Sequence, residues 1–155
     1  MFVTGKAENT ISPATNAPIH NPIVIAVPKE LATGEQRVAI VPEIVQNLKK
    51  SGHEIRIEHD AGTSAYYPDA LYTAAGAKIV SIDDLFNGAR IVLRVQPPTL
   101  AEVDQLAEGT IVIGFMNATN NLEVIARMRD RRITAFALEL VPRITRAQSM
   151  DALSS

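Results

Sequence analysis

No cysteine occurs anywhere in the 155 residues. That excludes a disulfide framework, a thiol nucleophile and a cysteine–zinc site, and it fits a reducing compartment. Histidine is scarce: His20, His53 and His59 are the whole set, and their spacing matches no zinc-ligand pattern. Long apolar runs are missing. The longest are strand-sized, such as Ile23–Val27 and Ile111–Ile113, well short of the roughly 18 residues a membrane helix needs. Charge of one sign is not in excess either. Fifteen Lys+Arg against 17 Asp+Glu leave a net charge of −2, which argues against nucleic acid as a partner bound through charge. The 8 glycines never fall into Gly-x-Gly-x-x-Gly, Gly-x-Gly or Gly-Lys-Ser/Thr. Such glycines let a backbone approach a pyrophosphate at a helix N-terminus, so an α/β fold here does not bring a nucleotide site with it. What is present is an ordinary globular balance, 46% apolar and 21% charged, enough for one domain or slightly more.

Residues 1–21 are polar and contain two prolines, one lysine and no arginine. They have no apolar stretch of the secretory type and too little arginine for a transit peptide, so the expectation is a flexible arm. From Pro22 to Pro142 the texture changes to short β-branched runs alternating with amphipathic stretches. Strands are expected at Ile23–Val27, Glu54–Glu58, Ile91–Val95, Ile111–Phe115 and Ile133–Leu138. Several are apolar nearly throughout, as strands covered on both faces are. Helices are expected at Pro42–Lys50 (with Ile44, Val45 and Leu48 on one face), Asp69–Ala75, Ser81–Asn87, Ala101–Leu106 and Asn121–Arg129 (with Leu122, Ile125 and Met128 as the buried stripe). Pro42 stands early in the first of these. Gly52, Gly76 and Gly88 follow helix ends, and Ser81 with Asp84 resembles an N-cap box. Strand–helix alternation at this spacing predicts βαβ units. The fold class is therefore α/β: a Rossmann-like or flavodoxin-like open, mainly parallel sheet with flanking helices and right-handed crossovers. Residues 143–155 have helix-forming character near Ala147–Leu153 but no stop signal. A chain cut inside a longer protein is expected, with a frayed natural end as the alternative.

Several clusters carry chemistry, each with a plainer reading beside it. Lys29, Glu30, Glu35 and Arg37 gather beyond the first strand, at the edge where open α/β sheets bind ligands. Arg37 has the donor geometry to hold a carboxylate; local ion pairs in a solvated loop explain the same residues. Arg94 interrupts an apolar strand and must find a partner. It is either a site residue or half of an internal pair. Arg127, Arg129, Arg131 and Arg132 surround a helix end, where cations complement the dipole; an anion site is the sharper alternative. Finally, Arg143, Arg146, Gln148, Ser149, Asp151, Ser154 and Ser155 crowd the last thirteen residues. Amides, hydroxyls and a carboxylate at a helix start can grip a planar amide. They also read as an ordinary helix N-terminus, with Thr145 or Ser149 as cap.

The segments VPKE, EQRVAIVP, the Ala-Gly of HDAGTSA, AAGAKIV, VLRVQPP and LELVPRITRAQSMDALSS follow in that order. Together they resemble the N-terminal domain shared by alanine dehydrogenases and the alpha subunits of proton-translocating NAD(P) transhydrogenases. The resemblance spans about Ile23–Ser155. The early motifs are common to both branches, whereas the Pro142–Asp151 run resembles the transhydrogenase branch. The resemblance implies hydride transfer from NADH to NADP⁺ coupled to proton translocation. It also implies that NAD(H) is bound mainly by a glycine-rich domain following Ser155, and NADP(H) by a partner component. Arg143, Asp151 and Ser154 would position the NAD(H) nicotinamide, and Gln148 would help hold the two rings together. Implied partners are membrane and NADP-binding components and a second alpha subunit in a homodimer, at the cytoplasmic face of the inner membrane. The dehydrogenase branch is similar but carries a Lys in the strand motif and a His after the next strand. Here the strand motif has Arg94, Met116-Asn117-Ala118 follow the next strand, and no His lies beyond His59. Direct hydride exchange needs no general acid or base, only two rings held at about 3–3.5 Å with water excluded. Imine chemistry does need proton transfer. Arg37 is read as structural or vestigial, and the piece is expected to be inert alone; the alternatives are an alanine dehydrogenase-like NAD-dependent amino-acid oxidoreductase and a non-catalytic partner-binding domain.

Overall fold

The computed structural model describes residues 21–142. The expected arm at 1–21, apart from Asn21, and the expected loop at 143–155 lie outside the described residues. The chain builds β1 (Val24–Val27), α1 (Pro42–Lys50), β2 (Glu54–Glu58), α2 (Asp69–Ala74), β3 (Lys78–Val80), α3 (Ile82–Leu85), β4 (Ala89–Leu93), α4 (Leu100–Gln105), β5 (Ile111–Gly114), α5 (Leu122–Asp130) and β6 (Thr134–Ala137). Two single 3₁₀ turns, Thr63–Ala65 and Leu138–Leu140, complete it. The sheet is parallel throughout, in the order β3-β2-β1-β4-β5-β6. The chain runs outward from β1 to β3 and then restarts on the other side of β1. That reversal, between β1 and β4, is the topological switch point of a doubly wound fold.

Crossover handedness decides where the two cores lie. One packs Val45 and Leu48 of α1 and Tyr72 of α2 against Ile25, Val27, Ile55 and Ile57. The other packs Leu85, Val103 and Met128 from α3, α4 and α5 against Ala26, Val92 and Val112. Tyr72 is fully buried; its hydroxyl donates to the Ile40 carbonyl at 2.8 Å, and burial holds its pKa up at about 12. Among the described residues no helix from the first set covers β5 and β6. Ile111 and Ile113, which point away from buried Val112, are only half-buried, and Phe136 is 56% exposed. Among the described residues, coverage on both faces therefore holds for the centre of the sheet and not for this flank.

Other expectations shift for local reasons. Strand β3 has no counterpart among the expected strands: it is three residues long and begins on an exposed lysine, too short to show a pattern. β4 begins and ends two residues earlier than expected, and its register against β1 shifts between Val24 and Ile25. Arg94 consequently stands just past the strand. Ile44 is 43% exposed and Leu122 71% exposed. The first lies a helical step, about 100°, before core-facing Val45, and the second opens α5 in its first turn. Ser81 caps α3 without receiving a backbone hydrogen bond, its hydroxyl donating instead to Asp84 at 3.3 Å. The true capping box is at α4, where Thr99 accepts from the Glu102 N–H at 3.2 Å and Glu102 accepts from the Thr99 N–H at 2.7 Å.

Gly114 ends β5 where the backbone of Arg94 passes closest. A Cβ there would stand 2.5 Å from the Arg94 carbonyl oxygen. Gly114→Ala is expected to cost about 1–3 kcal/mol, read as a lower urea midpoint with an unchanged m-value.

Candidate functional site

The carboxyl ends of β1, β4, β5 and β6 surround a shallow hollow of about 250 Å³. Arg37, Val38, Ala39, Arg94, Val95, Phe115 and Leu138 line it. A larger hollow, about 450 Å³, lies at the other edge of the sheet among the ends of α3, α4 and α5. Its cation, Arg131, one of the four arginines grouped around the end of α5, already donates to the Leu106 carbonyl at 2.8 Å, as the plainer reading of that cluster has it. The switch-point hollow is therefore the one that matters.

At its floor Arg94 is engaged on two sides. Its Nη1 lies 2.9 Å from Glu102 and its Nη2 3.5 Å from Glu30, and the three side chains are 2%, 8% and 3% exposed. Nε donates to the Gln96 carbonyl at 2.6 Å. Arg94 is thus an internal pair, the plainer of its two readings. Glu30 reaches from the β1–α1 loop to accept the N–H groups of Val95 at 2.5 Å and Gln96 at 3.2 Å. The Gln96 amide in turn donates to Glu35 at 2.5 Å, and Glu35 receives Arg37 through Nε at 2.8 Å and Nη2 at 2.7 Å. One network runs from α4 across the strand ends to the loop that carries Arg37.

Carboxylates collect the backbone N–H groups along this edge. Glu58, ending β2, takes that of Lys29 at 2.7 Å. Glu139, in the turn after β6, takes that of Met116 with both oxygens, at 3.1 and 3.2 Å. Sequence reasoning alone misses Glu102, Gln96 and Glu139 as members of this edge. Thr99-x-x-Glu102 is a capping signature that was legible; the pairings of Gln96 and Glu139 span tens of residues and left no local sign.

Arg37 hydrogen-bonded to Glu35 holds the Glu35 carboxyl down at about 2, against burial, with Gln96 adding to the lowering; the same contact raises the Arg37 pKa. A carboxyl that resists protonation when folded contributes stability above its ordinary pKa. The contribution fades as pH falls toward the folded value. Glu35→Gln is therefore expected to lower Tm at pH 7, and the gap to the parent should close between about pH 4.5 and pH 2. A gap independent of pH in thermal melts would contradict this.

The arginines at the end of α5 face acids: Arg127 meets Asp104, Arg129 meets Asp130 and Arg132 meets Glu108, at 2.8–2.9 Å. His59 sits between Asp60 at 3.0 Å and Asp69 at 3.5 Å on an exposed rim, a convergence the sequence spacing did not suggest. Arg143, Gln148, Asp151 and Ser154 lie outside the described residues.

The described part of this edge shows no glycine-rich phosphate grip. α1 begins with Pro42, which lacks an N–H, and carries Glu43 in its first turn, whose charge counts against a phosphate there. The N–H groups at the switch point are already held by Glu30. No helix among the described residues is long and apolar enough to cross a membrane.

The model of the alanine dehydrogenase/PNT N-terminal domain matches residues 26–155. The NAD(P) transhydrogenase subunit alpha of Cereibacter sphaeroides is 41% identical over 132 residues, covering 84% of this chain and 25% of the relative. That of Haemophilus influenzae is 38% identical over 133 residues, covering 86% and 26%. Among solved structures, the transhydrogenase from Sinorhizobium meliloti superposes with a TM-score of 0.81 at 39% identity, over 84% of this chain and 39% of that one. An L-alanine dehydrogenase superposes at 0.73 with 32% identity, over 77% and 33%. The chain spans about a quarter to a third of the length of the curated relatives it matches, from 25% to 36%.

Proposed function

This chain belongs to the alanine dehydrogenase/PNT N-terminal domain family, and from that premise we propose that it forms the N-terminal part of an NAD(P) transhydrogenase alpha subunit. The whole protein then transfers hydride from NADH to NADP⁺, coupled to proton translocation through membrane partners. The observation that carries this reading is the run Pro142–Asp151, which continues directly from the turn that Glu139 ties to the end of β5. In this reading Arg143, Asp151 and Ser154 hold the nicotinamide end of NAD(H). Gln148 reaches across to the partner ring. The pyrophosphate is gripped by a domain beyond Ser155, consistent with the closed anion positions of the described edge. NADP(H) belongs to a separate component, and two alpha subunits associate.

The alternative, an amino-acid dehydrogenase, needs a proton carrier at the switch point. Arg94 is paired there and no histidine follows His59, which favours hydride exchange.

The test uses the full-length protein assembled with its partner components. Reduction of an NADP⁺ analogue by NADH, without pyruvate- and ammonia-dependent oxidation of NADH, is the expected result. The reverse pattern would transfer the chain to the dehydrogenase branch.

A further inference from the structure

The switch point holds an anion site that the protein has built and filled itself. Two consecutive N–H groups, of Val95 and Gln96, and the buried guanidinium of Arg94 converge on one carboxylate, that of Glu30. Paired backbone donors with a cation beside them are the usual equipment for binding a free anion. The donors come from the end of β4 and the carboxylate from the loop after β1, so the contact bridges the two strands between which the fold reverses. In doubly wound sheets this crevice takes the ligand. Here it takes a side chain that is 3% exposed.

We propose that Glu30 is a resident anion. It closes the switch point to external oxyanions, and its removal opens a specific site for a small monocarboxylate. The chemical class follows from what the truncation removes. Glu30→Ala deletes two carbons and two oxygens, Cγ, Cδ and the carboxylate oxygens, which together have the composition of acetate. The vacated volume, the two N–H donors and the Arg94 Nη2 are then matched by acetate and exceeded by a branched carboxylate. Charge agrees: Arg94 faces both Glu30 and Glu102, so an entering monocarboxylate restores the charge of the parent cluster and adds none. The inference uses none of the residues that the hydride-exchange reading sets at the nicotinamide, and it stands or falls apart from that reading.

The experiment is thermal unfolding of the 155-residue chain, parent and Glu30→Ala, in sodium acetate, sodium pivalate and sodium chloride at matched ionic strength. The variant is expected to melt below the parent. Acetate should raise its Tm saturably, with half the effect at millimolar concentration, the weak-affinity range for so small a ligand; pivalate and chloride should not. The parent should respond alike to all three salts. A variant that gains no more from acetate than from pivalate, or no more than the parent gains, overturns the proposal. If Glu30→Ala does not fold unaided, refolding from urea replaces the melt. Recovery of the native circular dichroism in acetate alone supports the assignment, and failure in every salt overturns it. As a second arm, Glu30→Ala combined with Arg94→Met should lose the acetate response, because the cation that receives the carboxylate is gone; an undiminished response would also overturn it.

Discussion

Arg94→Met is expected to destabilise the chain by about 3–5 kcal/mol, the cost of leaving buried charges without their counter-ion. Arg94 is the only cation in contact with Glu30 and Glu102 among the described ion pairs, and all three side chains are almost wholly buried. Methionine fills most of the stem's volume, so the loss is electrostatic and not a cavity. Glu30 keeps its two N–H donors and Glu102 its capping contacts to Thr99, yet both carboxylates would face each other's charge across an apolar side chain. Neutralising them as well, in Arg94→Met with Glu30→Gln and Glu102→Gln, should return a good part of the loss. Urea denaturation followed by circular dichroism measures both. A single variant within about 1 kcal/mol of the parent, the range of an exposed surface pair, would mean that the triad does not hold the strand ends together.

Gln148→Asn carries the second large effect. In the proposed transhydrogenase the side chain at 148 reaches between two nicotinamide rings. The substitution keeps the amide and shortens its reach by one methylene. Misplacement of reacting groups by about 1 Å costs on the order of 10²-fold in rate, so hydride transfer in the assembled full-length protein should fall by about that factor. NADH affinity should stay near the parent value, because in the proposed reading the pyrophosphate is gripped by another domain. Stopped-flow transfer rates and equilibrium NADH titration separate the two quantities. Turnover at the parent level would remove Gln148 from the role given to it, whereas a matching loss of NADH affinity would make it a binding residue.

The α/β class was legible because strand-sized apolar runs alternate with capped, amphipathic stretches. Gly52, Gly76 and Gly88, all at positive φ, follow the helices as expected. Strand order was not legible: β1 pairs with β4 across about sixty residues, and nothing local announces it. The same distance hides the site. Arg94 is visible as an oddity in an apolar run, but whether it serves a ligand or a neighbour depends on Glu30 and Glu102 arriving from two other segments. Thr99-x-x-Glu102 could have been read as a cap. Its second duty, receiving Arg94, could not, since one carboxylate performs both. The failed positions, Ile44 and Leu122, are apolar residues at helix starts, where periodicity says little about facing.

The central position of β1 also sets an order of events during synthesis. β1 ends at Val27 and its second neighbour begins at Ala89, about sixty residues downstream. At about 5–20 residues per second on the ribosome, the strand at the heart of the sheet leaves the peptidyl-transferase centre roughly 3–12 s before β4 exists to cover its free edge. The half built by β1, β2 and β3 must survive that interval with an open, apolar strand edge, the kind most prone to pairing with another nascent chain. Slow codons between Val27 and Ala89 would lengthen the exposure. Yield of native protein should therefore be more sensitive to translation speed in that stretch than after Leu93.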